Sequence, residues 1–296
     1  MSVFSRIAIT FSSVLFMFGA RAFAMTGIVP SPVLEAHFDA EVENPFVQRL
    51  LQHPHVSLAE GEGIGGSGAI RVDYVGFEGG SRRVAFTHAL PEPSEAATLV
   101  FDVRFDRDFQ WTQGGKLHGF GPQNPITGGL DRQENGWSAR MMFLKGGAVS
   151  SYLYDQDDTM TYGVGDRSEE PVFTLDEWHN VRLQIQLNAL GESDGWVRIY
   201  VDQELVVETS GVMFRRNAGA DTQIQTLMFN TFHGGNDLSW TPVDEAGEPT
   251  VVHAYFDNFA VYMSVMNPDE APTGTENSLE KDERRRPRFS GSSRRR

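Results

Sequence analysis

Apolar and polar positions alternate with a period of two along much of the chain. Ala97, Leu99, Phe101, Val103 and Phe105 interleave with Thr98, Val100, Asp102, Arg104 and Asp106. Val181, Leu183, Ile185 and Leu187 do so with Arg182, Gln184, Gln186 and Asn188, and Val197, Ile199 and Val201 with Arg198, Tyr200 and Asp202. In a strand, successive side chains point to opposite faces, so this pattern predicts half-buried strands. Further strands are predicted at 33–38, 69–75, 82–87, 223–232 and 251–262, separated by Gly, Asn and Asp clusters. Helical periodicity is nearly absent; residues 42–52 are its best stretch. No repeat of solenoid length is visible. Many half-buried strands in one domain predict an all-β protein, a two-sheet antiparallel β-sandwich of the jelly-roll type.

Two adjacent strands carry polar chemistry. Residues 136–145 place Ser138, Arg140, Met142 and Leu144 on one face and Trp137, Ala139, Met141 and Phe143 on the other. After Gly146-Gly147, residues 148–155 place Ser150, Tyr152 and Tyr154 on one face. The two predict a hairpin, and its loop length sets the register. A two-residue turn puts Arg140 opposite Leu153 and mixes tyrosines with core residues. A three-residue loop over Gly146–Ala148 puts Arg140 opposite Tyr154 and Met142 opposite Tyr152, giving one apolar and one polar face. The second register is expected, because burying an apolar face specifies register.

Upstream lies Trp111-Thr112-Gln113-Gly114-Gly115-Lys116-Leu117-His118-Gly119-Phe120-Gly121-Pro122. Four glycines and a proline predict a loop here rather than a long regular element. Glycine lets backbone approach a ligand closely, and Lys116 can then present its charge at a fixed place.

The ordered set Gly114-Gly115-Lys116-Leu117, Ser138-Ala139-Arg140 and Tyr152-Leu153-Tyr154 resembles the alginate lyases of polysaccharide lyase family 14 and their glucuronan-lyase relatives in family 20. Asn230-Thr231-Phe232-His233-Gly234-Gly235 and Phe256-Asp257-Asn258-Phe259 fit the same superfamily, so the resemblance spans about residues 95–263. The run Trp178–Asp202 is also similar to concanavalin-like sandwiches. The resemblance implies a catalytic set of Lys116, Ser138, Arg140, Tyr152 and Tyr154. Gln113, His118, Arg132, Lys145 and His233 are candidate substrate contacts, with His233 readable either as cleft-lining or as a structural turn. His118 stands where the family usually has proline, and Arg132 where a histidine is expected.

A uronide lyase removes the C5 proton beside a carboxylate, stabilises the enolate-like charge and protonates the departing C4 oxygen. Such chemistry needs fixed cations and groups of suitable pKa. Arginine's fork suits carboxylate recognition, which fits Arg140. A cation cluster is expected to lower both the Lys116 amine and the neighbouring tyrosines. The roles of Tyr152 and Tyr154 as base or acid stay open at this point, as does Lys116 as base or stabilising cation. Alternatives on the same fold are a non-catalytic carbohydrate-binding sandwich and a glycoside hydrolase. No closely spaced Glu-x-Asp-x-x-Glu strand, P-loop, G-x-S-x-G, dinucleotide fingerprint or H-E-x-x-H is present.

Charge sharpens the choice of partner. The 296 residues carry a formal −15. Arg6 and Arg21 add two positive charges at one end, and residues 268–296 a net two at the other, which leaves −19 on residues 25–267. This opposes nucleic acid and anionic membranes as partners. An anionic polysaccharide remains possible because repulsion is screened beyond about 10 Å at moderate salt, while cleft cations act at contact range. Residues 1–24 read as a signal peptide ending Ala22-Phe23-Ala24, predicting a secreted or periplasmic protein. Residues 25–266 are expected to form the sandwich domain, and the Arg-, Ser- and Pro-rich residues 267–296 a disordered tail. No later apolar run reaches the length of a membrane span. With no cysteine, stability must come from a core. No cofactor is required by this chemistry; the Asp155–Asp158 run leaves a structural calcium ion possible. A monomer is expected.

Overall fold

A computed structural model describes residues 30–39, 43–156 and 161–266. The predicted leader, the tail and part of the Asp155–Asp158 run lie outside the described residues. Strands β1 (Leu34–Ala36), β2 (Val56–Ala59), β3 (Ala69–Phe77), β4 (Gly80–Ser81), β5 (Val84–Ser94), β6 (Ala96–Phe105) and β7 (Gly114–Gly121) come first, with helix α1 (Pro45–Leu51) between β1 and β2. Strands β8 (Ser138–Leu144), β9 (Val149–Tyr154), β10 (Trp178–Gln186), β11 (Gly195–Val201), β12 (Glu204–Val212), β13 (Ile224–His233) and β14 (Val251–Tyr262) follow. They form two sheets. One has nine strands, with the order β12-β11-β10-β6-β14-β3-β2 and with β1 and β4 alongside; the other has the order β5-β13-β7-β8-β9. All pairings between these strands are antiparallel. The fold is the expected β-sandwich.

The period-two pattern accounts for the layering. Leu99, Phe101, Val103 and Phe105 of β6 and Leu183 and Ile185 of β10 turn inward and are buried. They meet Trp137, Ala139, Met141 and Phe143 of β8 and Val149 and Leu153 of β9 from the opposite sheet. Burying large apolar side chains contributes about 1.5–3 kcal/mol each. Helix α1 begins at a cap, where Asn44 Oδ1 accepts a hydrogen bond from Phe46 N at 2.9 Å and Pro45 opens the first turn. Its Phe46 ring packs against Phe86, Phe229 and Phe259. The helix thereby joins strands of both sheets.

The structure corrects the expectation for 111–122. Residues Gly114–Gly121 form β7, the central strand of the five-stranded sheet. The glycines are required by close packing. A Cβ at Gly115 would lie 2.2 Å from the Phe143 ring and 2.3 Å from the Phe232 carbonyl oxygen, and one at Gly119 2.1 Å from the Ala139 carbonyl oxygen. Pairing on both sides offsets the weak strand propensity of glycine.

The hairpin register is also corrected. The turn is Lys145–Gly147 rather than Gly146–Ala148, so Arg140 lies opposite Tyr152 and Ser138 opposite Tyr154. Leu144 N donates to Ala148 O at 2.8 Å and closes the turn, with Gly146 in the left-handed region at φ 78°. The shift from the expected register is two residues. Because side chains alternate with a period of two, an even shift preserves the faces. The apolar set stays inward and the polar set outward.

Candidate active site

The outer face of the five-stranded sheet carries the site. Strand pairing arranges its side chains in rows running across the strands. Phe232 of β13 pairs with Lys116 of β7, Lys116 with Met142 of β8, and Met142 with Ser150 of β9. The next row runs Met228, Gly119, Arg140, Tyr152, and beyond it Ser138 faces Tyr154. Register shifts between Lys116 and Gly119, and between Met228 and Phe232, fit an extra residue into β7 and β13. Such bulges bend a strand and re-aim side chains. Here they bring Asn230 within reach of Arg140, whose guanidinium donates to Asn230 Oδ1 at 3.3 Å.

Four groups converge. Lys116 Nζ sits 3.4 Å above the Tyr152 ring centroid and 3.0 Å from Met142 Sδ. The Arg140 guanidinium lies 5.4 Å from the Tyr152 ring and 5.9 Å from the Tyr154 ring. The tyrosine rings meet edge to face at 5.7 Å. Gly163 lies beside both rings, where a Cβ would come within 2.9 Å of each. Arg132 reaches in from the 122–137 loop and stacks over Tyr154 at 4.6 Å. That loop is tied to the sheet by Ser138 Oγ donating to Ile126 O at 2.7 Å and by Gly129 N donating to Tyr154 Oη at 3.0 Å.

The electrostatics are unusual. Burial, with the adjacent Arg140 and Arg83 guanidinium groups, pulls the Lys116 amine down to about 7. Burial lowers Arg140 to about 10, which leaves it charged at neutral pH. Tyr152 goes the other way. Burial and then its Tyr154 neighbour raise it to about 12, against the pull of Arg140. The expectation that cations would lower the tyrosines is thereby corrected for Tyr152, because desolvation outweighs the attraction. No described carboxylate pairs with Lys116, Arg140 or Arg83. Ion pairs among the described residues include those of Arg71, Arg104, Arg107, Arg198 and Arg215, of which Arg71, Arg104 and Arg198 lie on β3, β6 and β11 of the other sheet. Despite the acidic chain, this sheet face sets Lys116 and Arg140 beside two tyrosines with no described carboxylate paired to either.

The polysaccharide lyase 14 family model matches residues 75–259, which contain all of these groups. The chain belongs to polysaccharide lyase family 14. It is a polysaccharide lyase. The structure is similar to the PL-14 alginate lyase from Aplysia kurodai, with TM-score 0.62 and 21% identity over 78% of this chain and 99% of that one. Alginate lyase Aly36B, doubly mutated and in complex with an alginate tetrasaccharide, aligns with TM-score 0.57 and 23% identity over 67% and 81%. The endo-β-1,4-glucuronan lyase from Trichoderma reesei aligns with TM-score 0.52 and 16% identity over 81% and 100%. No curated protein matches the sequence.

Not every candidate of the lyase reaches this face. His118, a candidate substrate contact, and His233, readable as cleft-lining or as a structural turn, both turn inward and are buried. The bulge in β7 sends His118 into the core, among Phe101, Phe229, Phe256 and Phe259. Its Nδ1 accepts from Asn230 N at 3.3 Å, and burial takes the imidazole down to about 3. His233 donates through Nε2 to Gln110 O at 2.7 Å, packs on Phe109, and falls to about 4. Burial favours the neutral imidazole in both. Lys145 is exposed in the hairpin turn and Gln113 exposed just before β7, away from the convergent cluster. Ser138 lies in the site, but its hydroxyl is spent on Ile126. Met142, Asn230 and Arg83 were missed as site residues. Met142 was legible on the polar face of its strand; Asn230 and Arg83 reach the site only through sheet pairing.

Among the described residues no group of three or more His, Asp or Glu is arranged to hold a metal ion.

Proposed function

We propose that this lyase cleaves alginate or a related polyuronate by β-elimination. The observation that carries the reading is Lys116, an amine with no carboxylate partner among the described residues, touching Tyr152 and flanked by Arg140. An amine near pKa 7 is half free at neutral pH, which suits a general base. Tyr152 holds its proton and suits a general acid. In this reading Arg140, held by Asn230, pairs with the uronate carboxylate and stabilises the charge that develops there. Lys116 Nζ takes the C5 proton, the C4–O bond breaks, and a C4=C5 double bond forms. The Tyr152 hydroxyl gives its proton to the departing oxygen. Tyr154 and Ser138 hold the loop that carries Arg132, and Arg132 binds substrate. The chain's own residues supply base, acid and cation, and no cofactor enters. The similarity to lyases whose names record alginate and glucuronan supports the substrate class.

The test is incubation with alginate, polymannuronate, polyguluronate and glucuronan while following absorbance of the new double bond. A signal on at least one is expected. Glycan binding without double bond, or new reducing ends without it, replaces this reading with a binding module or a hydrolase.

A further inference from the structure

The cationic face does not end at the reacting groups. Arg83 immediately precedes β5, whose Val84 pairs with Thr231 of β13. Its guanidinium lies 5.6 Å over the Phe232 ring, and Phe232 pairs with Lys116. Arg83 thus extends the row of Phe232, Lys116 and Met142 by one strand. It stands two strand spacings, about 10 Å, from β7. Its side chain is exposed and no described carboxylate pairs with it. Arginine stacked on an aromatic face with its fork open to solvent is poised for a planar anion.

The turn that carries Arg83 is pinned. Ser81 Oγ accepts from His233 N at 2.9 Å, and Gly80 N donates to Thr241 Oγ1 at 3.1 Å. The second bond ties β4 to the segment that bears Trp240. A methyl placed on Gly234 would lie 4.0 Å from Lys116 Nζ and 3.9 Å from the Trp240 ring. Gly234 therefore leaves a slot between Lys116 and an indole, on the side of the site opposite Arg132. An indole and an exposed guanidinium that both neighbour the Lys116 row suit an acidic sugar, the ring by contact and the carboxylate by charge.

We infer that Arg83 and Trp240 form a second uronate-binding subsite, in which Arg83 reads the carboxylate of a sugar flanking the one that reacts. The inference rests on the polyuronate reading above and adds a specificity-determining residue to it. It also places the substrate chain across the strands, from Arg83 past Lys116 and Arg140 to Arg132. Arg83 acts in binding, and the reacting groups keep their geometry without it.

The experiment uses the full-length protein with Arg83→Gln, Arg83→Lys and Trp240→Leu, and alginate oligosaccharides of increasing length. For chains long enough to reach the subsite, Arg83→Gln is expected to raise KM about tenfold, the effect of losing one charge-assisted contact, with kcat compared at about pH 9, where the Lys116 amine is free with or without the Arg83 charge and turnover should differ little. Chains too short to reach it should lose little. Arg83→Lys should recover part of the affinity, and Trp240→Leu should show the same length dependence. Calorimetric titration of alginate into Lys116→Ala, with and without Arg83→Gln, reads binding apart from turnover. Equal KM at every length, or Arg83-independent binding, overturns the subsite. If the wild type forms no double bond yet binds alginate through Arg83, the lyase reading falls and the subsite stands. If it neither cleaves nor binds a polyuronate, both fall.

Discussion

Lys116→Arg separates a base from a mere cation. Arginine keeps the positive charge at the site but holds its proton far more tightly. With the Lys116 amine at about 7, about half of the molecules carry a free base at pH 7. An ordinary lysine near 10.4 would offer only about four in ten thousand. An arginine depressed as far as Arg140, to about 10, would offer about one in a thousand. The expected loss of kcat is therefore on the order of 10²–10³-fold. The same reasoning sets the wild-type pH profile. Activity should rise with an apparent pKa near 7 and be about fiftyfold lower at pH 5 than at pH 7. The assay is initial-rate absorbance of the double bond on alginate from pH 5 to 9, with melting temperatures recorded for both proteins. A folded Lys116→Arg variant within tenfold of wild type, or a flat wild-type profile, refutes Lys116 as the base.

Tyr152→Phe should cut turnover by about 10²–10⁴-fold with the melting temperature near wild type, since only a proton donor is lost. Tyr154→Phe should instead act mainly on stability, by about 1–3 kcal/mol in denaturant titration, because Gly129 N loses its acceptor. Gly119→Ala should destabilise by about 1–3 kcal/mol and abolish activity, since the new methyl would sit 2.1 Å from the Ala139 carbonyl oxygen under Arg140. Acid should weaken the fold. His118 and His233 are held at about 3 and about 4, below their unfolded values, so the unfolded chain binds the extra protons. Stability should drop by about 1.4 kcal/mol per pH unit for each imidazole as pH falls below about 6.5. Asp102, raised by burial to about 6, works in the opposite direction over part of that range. His118→Gln should flatten the slope of melting temperature against pH; an unchanged slope would exclude His118 as a source.

The period-two alternation was enough to call most strands, because burying one face of a strand demands that pattern regardless of which strands pair. The same alternation kept the hairpin faces correct when the turn was misplaced, since an even shift of register moves no side chain through the sheet. The set Lys116, Ser138, Arg140, Tyr152 and Tyr154 was legible as an ordered motif, and the structure brings it together. What local pattern could not decide was long-range. Glycines that read as a loop became the central strand because Phe143 and Phe232 crowd against them. His118 looked like a ligand beside Lys116, but a bulge set by pairing with β8 turned it inward. Arg83 and Asn230 join the site only because β5, β13 and β7 are neighbours in the sheet, although far apart along the chain. The Lys116 amine owes its low pKa to burial and to two arginines from other strands. Alternation is a property of one strand and can be read in one dimension; bulges, burial and electrostatic coupling arise where strands meet, and only the tertiary structure decides them.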